Sequence, residues 1–381
     1  MLACVSPNGR ASYALDGLPT ELLVGTVDGL VLLRCESAGA GWRRASTGLA
    51  AHQISALVAA PNLGLVFAGT AGKGLYASAD GGASWELRTK GLRSQHVFAM
   101  ALDDRGDHPV LYAGMLPPAL YRSFDLGQSW EELPSLNDVP DSDKWNFRAS
   151  PGAPHVKNIA FDPTERDTLY VCIEQGGLLR STDSGRTWHE LDTWFLAEDT
   201  FYRDSHRLVL APGNPRIMYM ATGDGVCKST DAGATWRRLT TGADRVGYPD
   251  TLLLDPANED VLYVAGAGGH PGTWNQQTAR PGVIRSADGG LTWQELGEGL
   301  PSPIRGNIEA MSMVTWPGGL AFYFGTAVGE VWASENGGAH WNLIAETAPV
   351  SKAGHFRKFL SPEERERVER ELMHHSVVEP R

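Results

Sequence analysis

An octet of the form Ser-x-Asp-x-Gly-x-x-Trp recurs along this 381-residue chain, apolar stretches of strand length separate its copies, and the composition holds 44 glycines and 12 tryptophans. These observations predict an all-β fold: a seven-bladed β-propeller of four-stranded antiparallel blades, with a short C-terminal helix. The copies run Ser78-Asp80-Gly82-Trp85, Ser123-Asp125-Gly127-Trp130, Ser181-Asp183-Gly185-Trp188, Ser229-Asp231-Gly233-Trp236 and Ser286-Asp288-Gly290-Trp293. A sixth, Ser334-Asn336-Gly338-Trp341, carries Asn for Asp, and a decayed seventh ends at Trp42 with Cys35, Ser37 and Gly39 in register. Their mean spacing of about 50 residues is the length of one propeller blade.

Each position of the octet has a physical task. The Asp carboxylate accepts backbone N–H groups across a tight turn. Gly supplies a positive φ without a Cβ clash. Trp begins the next strand and turns a large ring inward. The other strands repeat around it. Apolar runs ending in a turn, such as Ile159-Ala160-Phe161-Asp162-Pro163 and Leu252-Leu253-Leu254-Asp255-Pro256, read as inner strands. Leu111-Tyr112-Ala113-Gly114, Leu169-Tyr170-Val171, Met218-Tyr219-Met220 and Leu262-Tyr263-Val264 read as second strands. Leu120-Tyr121-Arg122, Leu178-Leu179-Arg180 and Val283-Ile284-Arg285 read as third strands, and the Trp starts the outer one.

The octets resemble the repeats of the Asp-box (BNR-repeat) propeller superfamily over about residues 21–355. That group includes sialidases, two-propeller xyloglucanases, sortilin-type receptors and photosystem II assembly factors. The likeness is greatest to bacterial single-propeller members with sialidase-like or glycosyl-hydrolase-like labels. The resemblance implies that the box aspartates are structural. It also implies that a true sialidase is not expected: seven blades are counted where sialidases usually have six, and no Phe/Tyr-Arg-Ile-Pro motif occurs, since Phe147-Arg148-Ala149-Ser150 is not one. Nor is the second propeller that forms a xyloglucanase cleft expected from these residues. Shared fold leaves function to be argued from the site.

The expected domains are an N-terminal extension over 1–20, the propeller over 21–356, and a tail over 357–381. Blade one takes its inner strand either from the C-terminal segment near Pro349–Phe356, which is preferred, or from Leu2–Pro7. Ser361-Pro362-Glu363-Glu364 opens a helix over about 362–374 with a capping box and Pro at its first position. Glu363/Arg367 and Glu366/Arg370 pair at i,i+4. With only Val368 and Leu372 apolar, the helix reads as a solvated appendage, self-association being the alternative. The His374-His375 tract is too short to mark a metal site.

The formal charge of −12 argues against duplex nucleic acid, which recruits cations to displace phosphate counterions. Cys4, Cys35, Cys172 and Cys227 lie far apart with no CxxC pair, excluding a zinc ribbon or a disulfide scaffold. No apolar run approaches the roughly 20 residues that span a bilayer, and the N-terminus has no cationic segment leading an apolar one. A cytoplasmic protein without a membrane partner is expected.

Strand alternation puts the octets on one face of the disc and the long loops on the other. The crossing around Pro134–Pro154 and the loop around Gly266–Gly282 carry the extra length, and long loops on a rigid scaffold are where binding is built. Inner-strand starts on that same face are polar. They bring His52 and Gln53; Gln95 and His96; His155, Lys157 and Asn158; Asp204, His206 and Arg207; Tyr248 and Asp250; and Arg305, Asn307 and Glu309. Alignment of the inner runs makes His96, His155, Asp204, Tyr248 and Asn307 equivalent. Lys352 and His355 lie near the closure, and Glu174, Gln175 and Asp224 could add to the rim.

Such a ring serves proton transfer or metal ligation, and equally serves only to solvate a channel. Asp204, Asp250 and Glu309 are the candidate catalytic carboxylates for hydrolysis, with His155 and His206 as proton carriers if the reaction is elimination. Candidate ligand contacts are His96, Lys157, Arg207, Tyr248 and Asn307, plus Trp145 and Arg148 from one insert and His270 and Trp274 from the other. Trp beside Asn275, Gln276 and Gln277 suits a sugar, and also a loop that buries its own Trp. A divalent metal stays open, with no HExxH to support it. The expected function is processing of a small polar molecule or glycan, with a non-catalytic binding or assembly propeller as the alternative.

Overall fold

The computed structural model describes residues 1–37, 40–147, 151–191, 193–199 and 203–366. Seven sheets form a ring, and blades two to six are plain antiparallel meanders of four strands. From blade two onward the inner strands are Ile54–Ala60, Val97–Asp103, His155–Phe161, Ser205–Ala211, Tyr248–Leu254 and Ile308–Trp316. Each pairs with a second strand of the expected sequence, as Ile159 does with Val171 and Leu252 with Val264. No helix among the described residues is long and apolar enough to cross a membrane.

Blade one closes differently from the preferred expectation. Its inner strand is Leu2–Val5, which runs parallel to Glu21–Thr26, Cys4 opposite Leu23. Residues 1–20 are therefore part of the ring rather than an extension. Ser12–Ala14 adds a further parallel strand to the inner strand of blade seven, Tyr13 opposite Val314. The N-terminus thus ties the first blade to the last by backbone hydrogen bonds, the means by which a propeller avoids an open edge. The segment near Pro349–Phe356 forms no strand. It crosses the mouth instead, where Val27 N–H donates to the Pro349 carbonyl (2.8 Å) and Val350 N–H to that of Thr326 (3.0 Å).

The octets are self-contained turns. Ser78 Oγ donates to Asp80 Oδ1 (2.7 Å) and accepts from Gly82 N–H (2.8 Å), while Ser84 N–H and Oγ both donate to the Asp80 carboxylate. The same bonds recur at Asp125, Asp183, Asp231 and Asp288. These donors hold the box carboxyls below the usual carboxylate range, to about 2 at Asp183, as expected for a carboxylate that accepts several hydrogen bonds. Gly185, at φ +86, also leaves room for Leu133 of the preceding blade, whose Cδ1 would lie 2.7 Å from an added Cβ. The Gly39 of the decayed copy lies outside the described residues.

Blades pack by a second glycine pattern. The Gly ending a second strand admits an apolar side chain of the next inner strand: a Cβ on Gly114 would meet Val156 Cγ1 at 2.3 Å. Val156 is fully buried there, worth about 1.5–3 kcal/mol in apolar area removed from water. At the C-terminus the capping box forms, with Ser361 N–H donating to Glu364 Oε2 (2.7 Å) and Glu364 N–H to Ser361 Oγ (3.1 Å). The expected pairs with Arg367 and Arg370, and His374-His375, lie outside the described residues.

Candidate functional site

Six inner strands share one irregularity. In blades two to seven a single residue is left out of the pairing with the second strand: Ser55, Phe98, Lys157, His206, Asp250 and Glu309. A β-bulge at a strand start re-aims the extra side chain. Here the repeat delivers four ionisable groups, Lys157, His206, Asp250 and Glu309, from four consecutive blades. Two residues before each bulge stand Gln53, His96, His155, Asp204, Tyr248 and Asn307, so the aligned polar positions form the tier beside the bulges. Blade one has no equivalent residue. The crossing segment lies there, and brings Ser351, Lys352 and His355.

The centre is an ion-pair network between blades. Lys157 Nζ donates to Glu174 Oε1 (2.7 Å) and Asp250 Oδ1 (3.3 Å). Lys352 Nζ donates to Asp250 Oδ1 (2.5 Å) and Glu174 Oε1 (3.4 Å). Asn307 Nδ2 reaches Asp250 Oδ2 (3.4 Å), and His155 places Nε2 2.6 Å from Glu174 Oε2 with Nδ1 on the Ala153 carbonyl. Glu309 Oε2 accepts from Ser351 Oγ and Lys352 N–H, both at 2.9 Å. Every one of these ionisable side chains is at least 96% buried.

Burial at this depth penalises charge, and the neighbours decide which groups keep it. Burial pushes Glu174 up, but the Lys157 and Lys352 ammoniums and the His155 hydrogen bond outweigh it, holding the carboxyl well below its ordinary range. Asp250 is likewise held down, to about 2, by Lys352 and Lys157 against its burial. For Glu309 burial wins: Lys352 opposes it only in part, Asp250 adds like charge, and the carboxyl rises to about 7. His355, 3.8 Å from Glu309 Oε1, is lowered to about 3 by burial and then by Lys352. One site thus holds an ionised carboxylate and a carboxyl that titrates near neutrality, both facing Lys352.

Of the candidate catalytic residues, Asp204, His206, His155, Asp250 and Glu309 converge on this centre, with His206 Nε2 3.4 Å from Asp204 Oδ1 and 3.7 Å from Glu174 Oε1. Tyr248 packs on the His206 ring (centroids 4.7 Å apart), and half-buried His96 borders Phe98. Arg207 is buried and donates to the Pro7 carbonyl (3.1 Å) of the N-terminal loop. Trp145 does not fold over the channel: it is buried in the apolar core of blades three and four with Val156 and Ile173. Its neighbour Phe147 meets His155 edge-on instead, and Arg148 lies outside the described residues. Trp274 does reach the mouth, as a plug: 5% exposed, it stands edge-on to Tyr248 and His355 and beside Phe359. His270 precedes the short turn Pro271–Thr273 of that same loop.

Two residues prove more central than their sequence positions suggested. Glu174, expected at the rim, ends the second strand of blade four and binds His155 and both lysines. Lys352 enters because the crossing segment runs over the mouth, anchored by Gln276 Nε2 on the Phe359 carbonyl and Lys358 Nζ on that of Pro271. The bulges left one sequence signal, a polar residue interrupting an apolar inner run, as Lys157 does between Val156 and Ile159.

No family model matches the chain. It is 29% identical over 286 residues to a xyloglucanase of a Paenibacillus species, covering 66% of this chain and 26% of that protein. It is 26% identical over 265 residues to the xyloglucanase Xgh74A of Acetivibrio thermocellus, covering 58% and 30%. The chain therefore spans between a quarter and a third of these relatives' length. Among solved structures it is similar to an ancestral GH74 enzyme (TM-score 0.58, 19% identity, 77% of this chain and 39% of that one). It is also similar to the GH74 xyloglucanase of Xanthomonas campestris (TM-score 0.55, 18% identity, 76% and 45%). At such identities the structural likeness is one of fold: a seven-bladed β-propeller with GH74 xyloglucanase-like neighbours.

Proposed function

We propose that the chain is a carbohydrate-processing propeller in which Glu309 is the general acid and Asp250 the ionised partner carboxylate. The observation that carries this reading is the opposed displacement of the two carboxyls, Glu309 up to about 7 and Asp250 down to about 2. Two titratable groups driven apart by their surroundings are the arrangement from which acid and base roles are drawn. The partial sequence similarity to xyloglucanases supports a glycan as the substrate class.

In this reading protonated Glu309 donates to the departing glycosidic oxygen, and Asp250, kept ionised by Lys157 and Lys352, stabilises the developing positive charge or activates water. Asn307 donates to Asp250 Oδ2 and Tyr248 packs on the His206 ring, both buried beside the centre. Trp274, Phe359 and His355 cover the centre, so a sugar enters by parting the blade-six loop from the crossing segment.

A panel of β-glucan and xyloglucan oligosaccharides, assayed for released reducing ends, tests the proposal. Wild type is expected to cleave at least one of them. Glu309→Gln, near-isosteric, is expected to lose about 10²–10⁴-fold in kcat while its melting transition stays cooperative. Full activity in the folded variant, or no turnover of any glycan by wild type, overturns it. Binding without turnover would make the chain a glycan-binding propeller.

A further inference from the structure

The proposed acid chemistry uses Glu309 and Asp250. Beside them lies a group it does not use: Glu174, Asp204 and His206, whose donor atoms all fall within 4.8 Å of one another. We infer that these three side chains form a binding site for one divalent transition-metal ion, with zinc as the best-matched cation.

The first support is the set of unsatisfied atoms. Asp204 is 2% exposed, yet neither of its carboxylate oxygens has a hydrogen-bond partner, and the same is true of His206 Nε2. A buried carboxylate with no donor costs several kcal/mol unless a cation meets it. Nearby cations do not fill this role: the hydrogen bonds of Lys157 and Lys352 go to Glu174 and Asp250, and Arg207 donates to Pro7.

The second is the orientation of His206. Its Nδ1 lies 2.7 Å from the Pro249 carbonyl, which can only accept, so Nδ1 carries the hydrogen. That bond aims Nε2 at Asp204 and Glu174. A backbone carbonyl fixing the far ring nitrogen is the usual support of a metal-bound histidine. The separations of 3.4 Å to Asp204 Oδ1 and 3.7 Å to Glu174 Oε1 are close to the ~3.3 Å edge of a tetrahedron with 2.0–2.1 Å bonds. One imidazole and two carboxylates suit zinc better than magnesium or calcium, which prefer all-oxygen shells.

The third is a glycine. A Cβ on Gly223 would lie 2.3 Å from Asp204 Oδ2, so the turn after the second strand of blade five (Asn214–Thr222) opens with the one residue that leaves the carboxylate its place. The Lys157 ammonium shares Glu174 Oε1 and competes for it.

The test is direct metal binding, independent of any glycan assay. Metal-stripped protein is titrated with Co²⁺, read by its visible d–d absorption, and then with Zn²⁺ in competition, with Mg²⁺ and Ca²⁺ as controls. One saturable Co²⁺ site displaced by Zn²⁺ is expected, together with a Zn²⁺-dependent rise in melting temperature. Asp204→Asn and His206→Gln should each weaken binding about tenfold or more, and Lys157→Met should strengthen it. Imidazole ¹⁵N shifts of the metal-free protein supply a second readout. A folded wild type without a saturable site, binding unchanged in both ligand variants, or a His206 ring carrying both protons at neutral pH would overturn the assignment. Metal binding without glycan turnover would leave this site standing and the proposed hydrolysis refuted.

Discussion

The two faces of the disc both carry carboxylates, and they use them in opposite ways. On the octet face each Asp lies within four residues of its donors, and the turn is the same in five blades. On the other face Glu174, Asp204, Asp250 and Glu309 come from four blades, each is buried, and their partners lie up to 178 residues away, as Lys352 does from Glu174. The octet carboxylates are fully served by local bonds. The central ones leave Asp204 and part of Glu309 unmet. Repetition with local satisfaction marks structure, whereas a non-repeating, long-range and incompletely satisfied set marks chemistry.

The largest expected effect that sharpens this contrast is on rate. With Glu309 as the proposed protonated acid, glycan turnover should fall about tenfold per pH unit above about 7, an alkaline limb visible in kcat/KM profiles. A profile flat through pH 8 would break the contrast at its centre. Next comes stability. Asp250→Asn strips two buried ammoniums of a shared partner and should cost about 3–5 kcal/mol in urea unfolding. A loss below 1 kcal/mol would place Asp250 with the octet residues.

The pH dependence of stability is a finer probe. The folded pKa of Glu309 is raised from 4.5 to about 7, so the folded state binds the extra proton between those values. The stability this contributes is complete below about pH 4.5 and is lost as pH rises through 7. Glu309→Gln should remove that loss, and unfolding curves at pH 5 and 8 for both proteins measure it. Gly223→Ala should cost about 1–3 kcal/mol by crowding Asp204, and should weaken Zn²⁺ binding in the same preparation. The smallest effect belongs to the octet face. Asp183→Asn should change stability by about 0.5 kcal/mol or less, since Asn336 already accepts from Ser334 Oγ (2.9 Å) and His340 N–H (3.0 Å) in the natural sixth copy.

Much of this architecture was legible in the chain because the octet is local: its donors, acceptor and glycine lie within eight residues, so the turn needs no distant partner. Seven octets at blade spacing then imply seven blades, and the alignment of inner runs made His96, His155, Asp204, Tyr248 and Asn307 equivalent, each two residues before a bulge. Two other readings failed where several placements had similar local signals. Leu2–Val5 is short and apolar and Pro349–Phe356 short and mixed, and which one closes blade one depends on a parallel pairing with Glu21–Thr26 that has no local signature. Trp145 and Trp274 both stand in long polar inserts. One is buried between blades three and four and the other plugs the mouth, a choice made by the space left between blades.

By itself, then, the sequence determined the repeat, the strand order, the number of blades and the level at which ionisable groups gather, because each of these follows from turn chemistry and alternation over a few residues. Only the tertiary structure decided which groups stay charged, which face bare atoms, and that Lys352 belongs among them. Those outcomes depend on burial and on distances between blades far apart in the chain, where removal of water makes each ångström of separation count.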